Sequence, residues 1–362
     1  MKKRVLHVIN SLTIGGAEML LVNSLSPGGL NEHVENYLLY FSKKSDYLVS
    51  LVDKNVKQTC LDYRGGTDIV RLLRQLRKII KENNIDIIHT HLNPADFYVN
   101  MVRPKNIAQV HTVHIAYTTD FETRRTLKFL EQKLFFNRGD CNLIFLSEFT
   151  KKDFLANVKF KGQSFVVPNF VDDSFFIHQP KQFTGSEEKG LKLIAVGNFR
   201  AQKNYFYLLD IFKLLKGHNI HLDIYGDGDL EKYKAVIDEN KLNVTLKGEV
   251  TNVNDVIARY DLFIMSSTNE GFPLSVFEAM AAGVPVMLTD IAPLTEIVKD
   301  NALYFKLGDA EKAAEQIIAV LQNKITINEM AVKAKSYAEK NVRRDIYIKR
   351  MLDIYDQLDP RE

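Results

Sequence analysis

The chain has 362 residues, of which 46% are hydrophobic and 26% charged, with a net charge of +3. That length exceeds one hydrophobic core and predicts two domains, while the composition excludes a disordered or membrane-spanning protein. The charge is uneven, +6 in residues 1–175 and −3 in 176–362. This excess is too small to argue for nucleic acid, though it suits an anionic surface for the first half.

In chain order, MKKRVLHVIN has a basic tip, but its apolar run is short and holds His7, so it reads as a first strand, not a signal peptide. Strands follow at VENYLLYF, IDIIHT, IAQVHTV, NLIFLS and SFVVPN, with helical stretches such as AEMLLVNSL and DIVRLLRQLRKIIKENN between them. The polar stretch FIHQPKQFTGSEEKG, residues 176–190, has no periodicity and carries Pro180 and Gly185, so it reads as a linker. The pattern then restarts with LKLIAVGN, HLDIYG, NVTLKG, DLFIMSS, PVMLT and ALYF. Strands alternating with helices predict parallel sheets. The expected architecture is two Rossmann-like domains facing each other across a cleft. One spans residues 1–175 and the other 191–340, with a helix from about 340 to 362 crossing back onto the first. No apolar stretch nears the roughly 20 residues of a membrane helix. Cys60 and Cys141 match no metal or redox spacing, which fits a reduced, cytoplasmic setting.

Ligands of open α/β sheets sit beyond the carboxyl ends of the strands. After the first strand comes NSLTIGGAE, residues 10–18, where Gly15 and Gly16 would let backbone N–H groups approach an anion at a helix start; a plain flexible turn fits as well. After the strand LKLIAV comes GNFRAQKN, residues 197–204. Its Arg200 and Lys203 would present two cations to a diphosphate, unless they form a solvated basic turn. After DLFIMSS comes EGFPLSVFEAMAAG, residues 270–283. Pro273 suits a first helical turn, and the N–H groups of Leu274 and Ser275 would be free to hold phosphate. Glu278 is an acid on an otherwise apolar helix, so burying it requires a partner, either protein donors or the vicinal hydroxyls of a ribose. His89 and His91 alternate on one strand, and His111 and His114 are three apart. With no carboxylate or cysteine at ligand spacing beside them, they read as cleft or core histidines and not as a metal site.

The block EGFPLSVFEAMAAGVPV, together with GGAE, PNFVD at 168–172 and GNFRAQKN at 197–204, resembles the retaining glycosyltransferases of family 4, which have the GT-B fold. YGDGDLEKY, LKGEV and TDIAPLTEIV fall in the expected order, so the resemblance runs nearly end to end. It implies a metal-independent hexosyltransferase that moves a sugar, with retention, from a nucleotide-diphosphate sugar such as a UDP-sugar to an acceptor hydroxyl. The setting implied is cell-surface polysaccharide or glycolipid synthesis. By resemblance Glu270 lies by the donor sugar hydroxyls, Glu278 holds the ribose, and Arg200 and Lys203 neutralise the diphosphate. His114 comes near the reacting sugar, and Gly15 and Gly16 lie beside the diphosphate. Gly197, Asn198, Val250, Gly271, Phe272, Pro273, Leu274 and Ser275 complete the donor site. One departure is that many members read Gly-Arg where this chain has Gly197-Asn198, so Arg200 is expected to substitute. No cofactor is implied beyond the nucleotide sugar, and the acceptor would be a glycan or a lipid-linked glycan.

The competing readings are a metal-dependent enzyme using Asp227-Gly228-Asp229, a GT-B sugar-nucleotide epimerase, and a catalytically silent nucleotide-sugar-binding subunit. RRTLKFLEQKLFFNR, residues 124–138, sets Leu127, Leu130 and Leu134 on one face among basic residues. The pattern favours a helix packing on the sheet, with peripheral contact to the inner face of a membrane as the alternative.

Overall fold

A computed structural model describes residues 2–13, 15–43, 46–114, 116, 136, 139, 141–250 and 252–358. The chain forms two compact units, Met1–Phe170 with Arg344–Glu362, and Val171–Arg343.

The first unit is built on seven strands: β1 (Arg4–Leu12), β2 (Glu35–Lys43), β3 (Lys57–Cys60), β4 (Ile87–His91), β5 (Ala108–Val113), β6 (Asn142–Phe145) and β7 (Ser164–Val166). Their order is β3-β2-β1-β4-β5-β6-β7, and every pairing is parallel. Helices α1 (Gly16–Ser24), α2 (Asp46–Leu51), α3 (Ile69–Glu82), α4 (Ala95–Val102) and α5 (Glu148–Asn157) connect the strands. In α3 the buried side chains are Leu72, Leu76 and Ile80, one stripe at four-residue spacing, with charged residues elsewhere. Strand β4 is buried along its whole length, as helices on both faces of a parallel sheet require. Strand β3 was not legible in the sequence. It is a short polar edge strand, KQTC, with no apolar run to mark it.

The second unit has six parallel strands: β8 (Leu191–Val196), β9 (Ile220–Tyr225), β10 (Val244–Gly248), β11 (Leu262–Met265), β12 (Val286–Thr289) and β13 (Leu303–Phe305). Their order is β10-β9-β8-β11-β12-β13. Its helices are α6 (Tyr205–Leu214), α7 (Glu231–Asn240), α8 (Val253–Ile257), α9 (Leu274–Ala281), α10 (Ala292–Val298), α11 (Ala310–Leu321) and α12 (Asn328–Asn341). The stretch 176–190, read in the sequence as a linker, belongs to this unit. Phe176 is buried, and Phe183 packs on the core with both backbone groups bonded to the Asn328 side chain.

The last helix, α13 (Arg344–Leu358), packs on the first sheet. Its Tyr347, Ile348, Met351, Ile354 and Tyr355 join Val5, Ile87 and Val110 in one apolar cluster.

Both sheets follow the strand order of a dinucleotide-binding fold, in which the direction of winding reverses between the first and fourth strands. In the first unit that point lies between β1 and β4, in the second between β8 and β11. The stretch 124–138 lies outside the described residues except for Phe136, which is buried.

Candidate active site

In the second unit the loops after β8 and β11 lie side by side at the switch point. Thr268 N–H donates to the Gln202 carbonyl at 2.8 Å, and Ser266 Oγ donates to the Lys203 carbonyl at 2.8 Å. These bonds tie the basic loop to the segment that carries Glu270. Lys203 Nζ donates to Glu270 Oε1 at 2.7 Å, and Ser267 Oγ donates to the same oxygen at 2.6 Å. The Glu270 side chain is 6% exposed and that of Lys203 15%, so the pair is largely shielded from water. A shielded carboxylate needs such partners, since leaving one uncompensated costs several kcal/mol.

The basic loop is shaped by close backbone approaches. Gly226, at φ +157°, lies where a Cβ would come within 2.1 Å of the Gly197 carbonyl oxygen. Gly197 takes φ +156°, and its carbonyl accepts a hydrogen bond from Tyr205 Oη at 2.7 Å. Phe199 N–H donates to the Asp227 carbonyl at 2.8 Å. Asn198 and Arg200 point to the exposed side, while Val250, after β10, is half-buried.

Beyond Glu270, Gly271 is half-buried and Phe272 buried, its ring stacked on Phe277 at 5.0 Å. Pro273 caps α9 without a side-chain bond. The Leu274 N–H, expected to be free, donates back to the Phe272 carbonyl at 2.9 Å. Val276 and Phe277 both turn to the Pro273 carbonyl, so within the first turn of α9 the Ser275 N–H is left without a backbone partner. Glu278 is half-buried, one turn further on. Its desolvated surroundings push the carboxyl up to about 7, and the negative charge of Asp172 adds to the effect.

In the first unit, Gly15 is the extended residue before α1, and a Cβ there would meet Glu18 Oε2 at 2.6 Å. Glu18 folds back over the helix start and accepts from Thr13 Oγ1 at 3.0 Å, whereas Gly16 faces open space. His114 follows β5, and burial holds its imidazole down to about 3, the charge of His111 adding to it. Next to it, His7, His89 and His91 form a buried group whose ligand nitrogens lie within 4.8 Å of one another. Protein partners already occupy much of it. His7 bonds Asn36 and His91, and His89 bonds Tyr355 Oη at 2.8 Å and Thr112 Oγ1 at 2.7 Å.

The model for Glycosyltransferase Family 4 matches residues 4–175, and that for Glycosyl transferases group 1 matches residues 177–341. The chain belongs to the family 4 glycosyltransferases. This glycosyltransferase is 25% identical over 308 residues to the UDP-Gal:alpha-D-GlcNAc-diphosphoundecaprenol alpha-1,3-galactosyltransferase of Escherichia coli, covering 79% of the chain and 78% of the relative. It is 24% identical over 298 residues to the N-acetyl-alpha-D-glucosaminyl L-malate synthase of Bacillus anthracis, with 78% of each covered. Among solved structures it superposes on Anabaena Alr3699/HepE in complex with UDP-glucose with a TM-score of 0.81 at 16% identity, covering 98% of this chain and 100% of that one. It superposes on a glycosyltransferase from Rickettsia africae with a TM-score of 0.79 at 17% identity, covering 99% and 98%. The fold of this glycosyltransferase is GT-B. Among its described residues no helix is long and apolar enough to cross a membrane.

Three residues at the site were not singled out from the sequence. Ser267 shares Glu270, Tyr205 fixes the Gly197 carbonyl, and Gly226 makes room for it. The glycines of YGDGD carried the one usable signal, since a glycine beside a strand end marks close backbone approach.

Proposed function

We propose that this glycosyltransferase moves a sugar from a UDP-sugar to an acceptor hydroxyl with retention of anomeric configuration, without a metal ion, in bacterial polysaccharide or glycolipid synthesis. The observation that carries the reading is the Lys203–Glu270 pair, tied by Ser267 and set at the switch point of the second sheet. The second unit is then the donor domain, and the first, with its glycine turn and His114, the acceptor domain. The relatives that act on or bind uridine-diphosphate sugars support the choice of nucleotide.

As the glycosidic bond breaks, negative charge grows on the leaving diphosphate and positive charge on the sugar. Lys203, Arg200 and the free Ser275 N–H answer the first, and preorganised donors of this kind lower a barrier by a few kcal/mol each. Glu270 accepts from sugar hydroxyls and Glu278 from the ribose. His114 orients the sugar, and Gly15 and Gly16 leave room for the diphosphate. The chemistry calls for no covalent enzyme intermediate: the acceptor attacks on the face the diphosphate leaves, and a phosphate oxygen takes its proton. The basic stretch 124–138 is a candidate for peripheral contact with a membrane carrying a lipid-linked acceptor.

A thermal-shift panel of nucleotide sugars, followed by nucleotide release with the best binder, tests the reading. Stabilisation by UDP-sugars with UDP release on adding acceptor supports it. Binding without release in the presence of lipid-linked or glycan acceptors would leave a binding subunit, and interconversion of the donor sugar alone an epimerase.

A further inference from the structure

Hydrogen-bond directions in the first unit can be read outward from one backbone carbonyl. Asn31 Nδ2 donates to the Leu25 carbonyl at 2.7 Å, which leaves Asn31 Oδ1 as an acceptor. Asn36 Nδ2 donates to that oxygen at 2.7 Å, so Asn36 Oδ1 is turned to His7 Nε2, 3.1 Å away. An amide oxygen only accepts, so the proton of His7 sits on Nε2. His7 is neutral, its burial holding it down to about 4, and its Nδ1 is therefore a lone pair. His91 Nε2 lies 3.4 Å from that lone pair and must carry a proton. Burial also keeps His91 neutral, so its Nδ1 is a second lone pair, buried and without a partner.

A buried acceptor with nothing to accept costs free energy and calls for an explanation. The neighbouring ring is His114, whose centroid lies 5.9 Å from that of His91 and whose Nε2 is likewise buried without a partner. The other histidines are engaged elsewhere: His89 with Tyr355 and Thr112, and His111 with Thr90 at 3.0 Å.

We propose that His91 is a positioning residue that accepts a hydrogen bond from His114 Nε2–H, closing a one-way chain from His114 through His91, His7 and Asn36 to Asn31. A small rotation of the His114 ring makes the bond. The chain then fixes the tautomer and plane of His114 and leaves Nδ1 as its one acceptor, able to take a hydroxyl. A sugar hydroxyl is the chemistry such an acceptor takes. The use made of His114 rests on the glycosyl-transfer reading; the chain itself does not.

The experiment is long-range proton–nitrogen correlation NMR on the 15N-labelled full chain, alongside turnover. Expected are protected ring protons on Nε2 of His7, His91 and His114, with each Nδ1 in the lone-pair range. His91→Gln keeps a donor at one end and an acceptor at the other, and should retain the protected His114 proton. His91→Phe should lose it, with kcat falling about tenfold, the worth of one hydrogen bond, and KM for the acceptor little changed. A wild-type spectrum with the His91 proton on Nδ1, or a His114 proton that stays protected in His91→Phe, overturns the proposal. So does stoichiometric zinc uptake that abolishes these signals. If His91→Phe does not fold, the wild-type spectrum decides alone. Full turnover in His114→Ala with the remaining chain intact would remove the role given to His114 and leave the His7–His91 order standing.

Discussion

Lys203 and Glu270 meet at 2.7 Å, and Ser267 donates at 2.6 Å to the same carboxylate oxygen, Oε1, so neither bond uses Oε2. The lysine balances a shielded acid, and on the proposed reading it has a second task, that of meeting the donor diphosphate.

The two tasks separate by mutation. Lys203→Met should lower turnover at least a hundredfold, the usual cost of one preorganised donor. It should also lower the melting temperature, because Glu270 is left shielded and unpaired. The double variant Lys203→Met with Glu270→Gln should regain most of that stability and none of the activity. Melting of the single variant at the wild-type temperature would show that the pair is not part of the folded unit's stability.

Glu278 gives the second unit a pH response. Its folded pKa, about 7, is above the ordinary carboxyl value, so between the two the folded protein binds more protons than the unfolded one. Stability contributed here is full below the ordinary value, about 4.5, and declines as pH rises through about 7. Ribose hydroxyls favour the ionised form, so nucleotide binding should release a proton near neutrality, readable by calorimetry in buffers of different ionisation enthalpy. Glu278→Gln should abolish that release, flatten the pH response and weaken UDP about tenfold or more. Proton uptake on binding would overturn the assignment.

The histidines act in the opposite direction in the first unit. His7, His89, His91 and His114 all titrate below the ordinary imidazole value because burial opposes their charged forms. The unfolded chain therefore takes up more protons as pH falls below about 6.5, and stability drops steeply from there downward. Acid unfolding followed by hydrogen exchange should show the first unit opening before the second, and His7→Gln should shift its onset to lower pH. Loss of both units together, with an onset unmoved by that change, would contradict this.

How much of this was legible beforehand follows from the type of signal. Apart from the edge strand β3, the strands carry apolar, β-branched runs, and pattern alone marks such runs. The two acids and the basic loop stood out because charges in an apolar stretch are costly and rarely idle. The pairing of Lys203 with Glu270 did not stand out, since 67 residues separate them and only adjacent strands β8 and β11 bring them together. The use of the Leu274 N–H in a tight turn was equally hidden, because it depends on backbone angles around Pro273 that residue identities do not set. The histidine order was beyond reach because it is fixed by Asn31 and Asn36, ordinary polar residues in the sequence.

Two glycines beyond strand ends, Gly226 after β9 and Gly15 after β1, should respond differently to the same substitution. In Gly226→Ala the new methyl meets a backbone carbonyl at 2.1 Å, and φ is +157°, so the β8–β9 loops must part. That should cost roughly 1–3 kcal/mol and most of the activity. In Gly15→Ala the obstacle is the far end of the Glu18 side chain, which can swing away, so the melting temperature should hardly move. Donor affinity should still fall, because the displaced carboxylate and the methyl crowd the α1 turn. Equal melting temperatures for the two variants would count against this account of the loops.

The Asp227-Gly228-Asp229 turn provides the last test, that of metal use. Asp227 is committed to the fold: its carbonyl accepts from Phe199 N–H, its Oδ1 from Gly228 N–H at 2.8 Å, and its own N–H donates to Asn198 Oδ1 at 3.3 Å. A carboxylate engaged in shaping its own turn is poorly placed to be one of two ligands bridging a diphosphate and a cation, and Asp229 is exposed. On the proposed reading charge neutralisation then falls to Lys203 and Arg200. Turnover should persist in excess EDTA, Mn²⁺ should not raise it, and Asp229→Asn should leave it unchanged. Asp227→Asn should lower it modestly and together with stability. Loss of turnover in EDTA that Mn²⁺ restores, in the wild type but not in Asp229→Asn, would transfer the neutralising role from the basic loop to a metal at this turn.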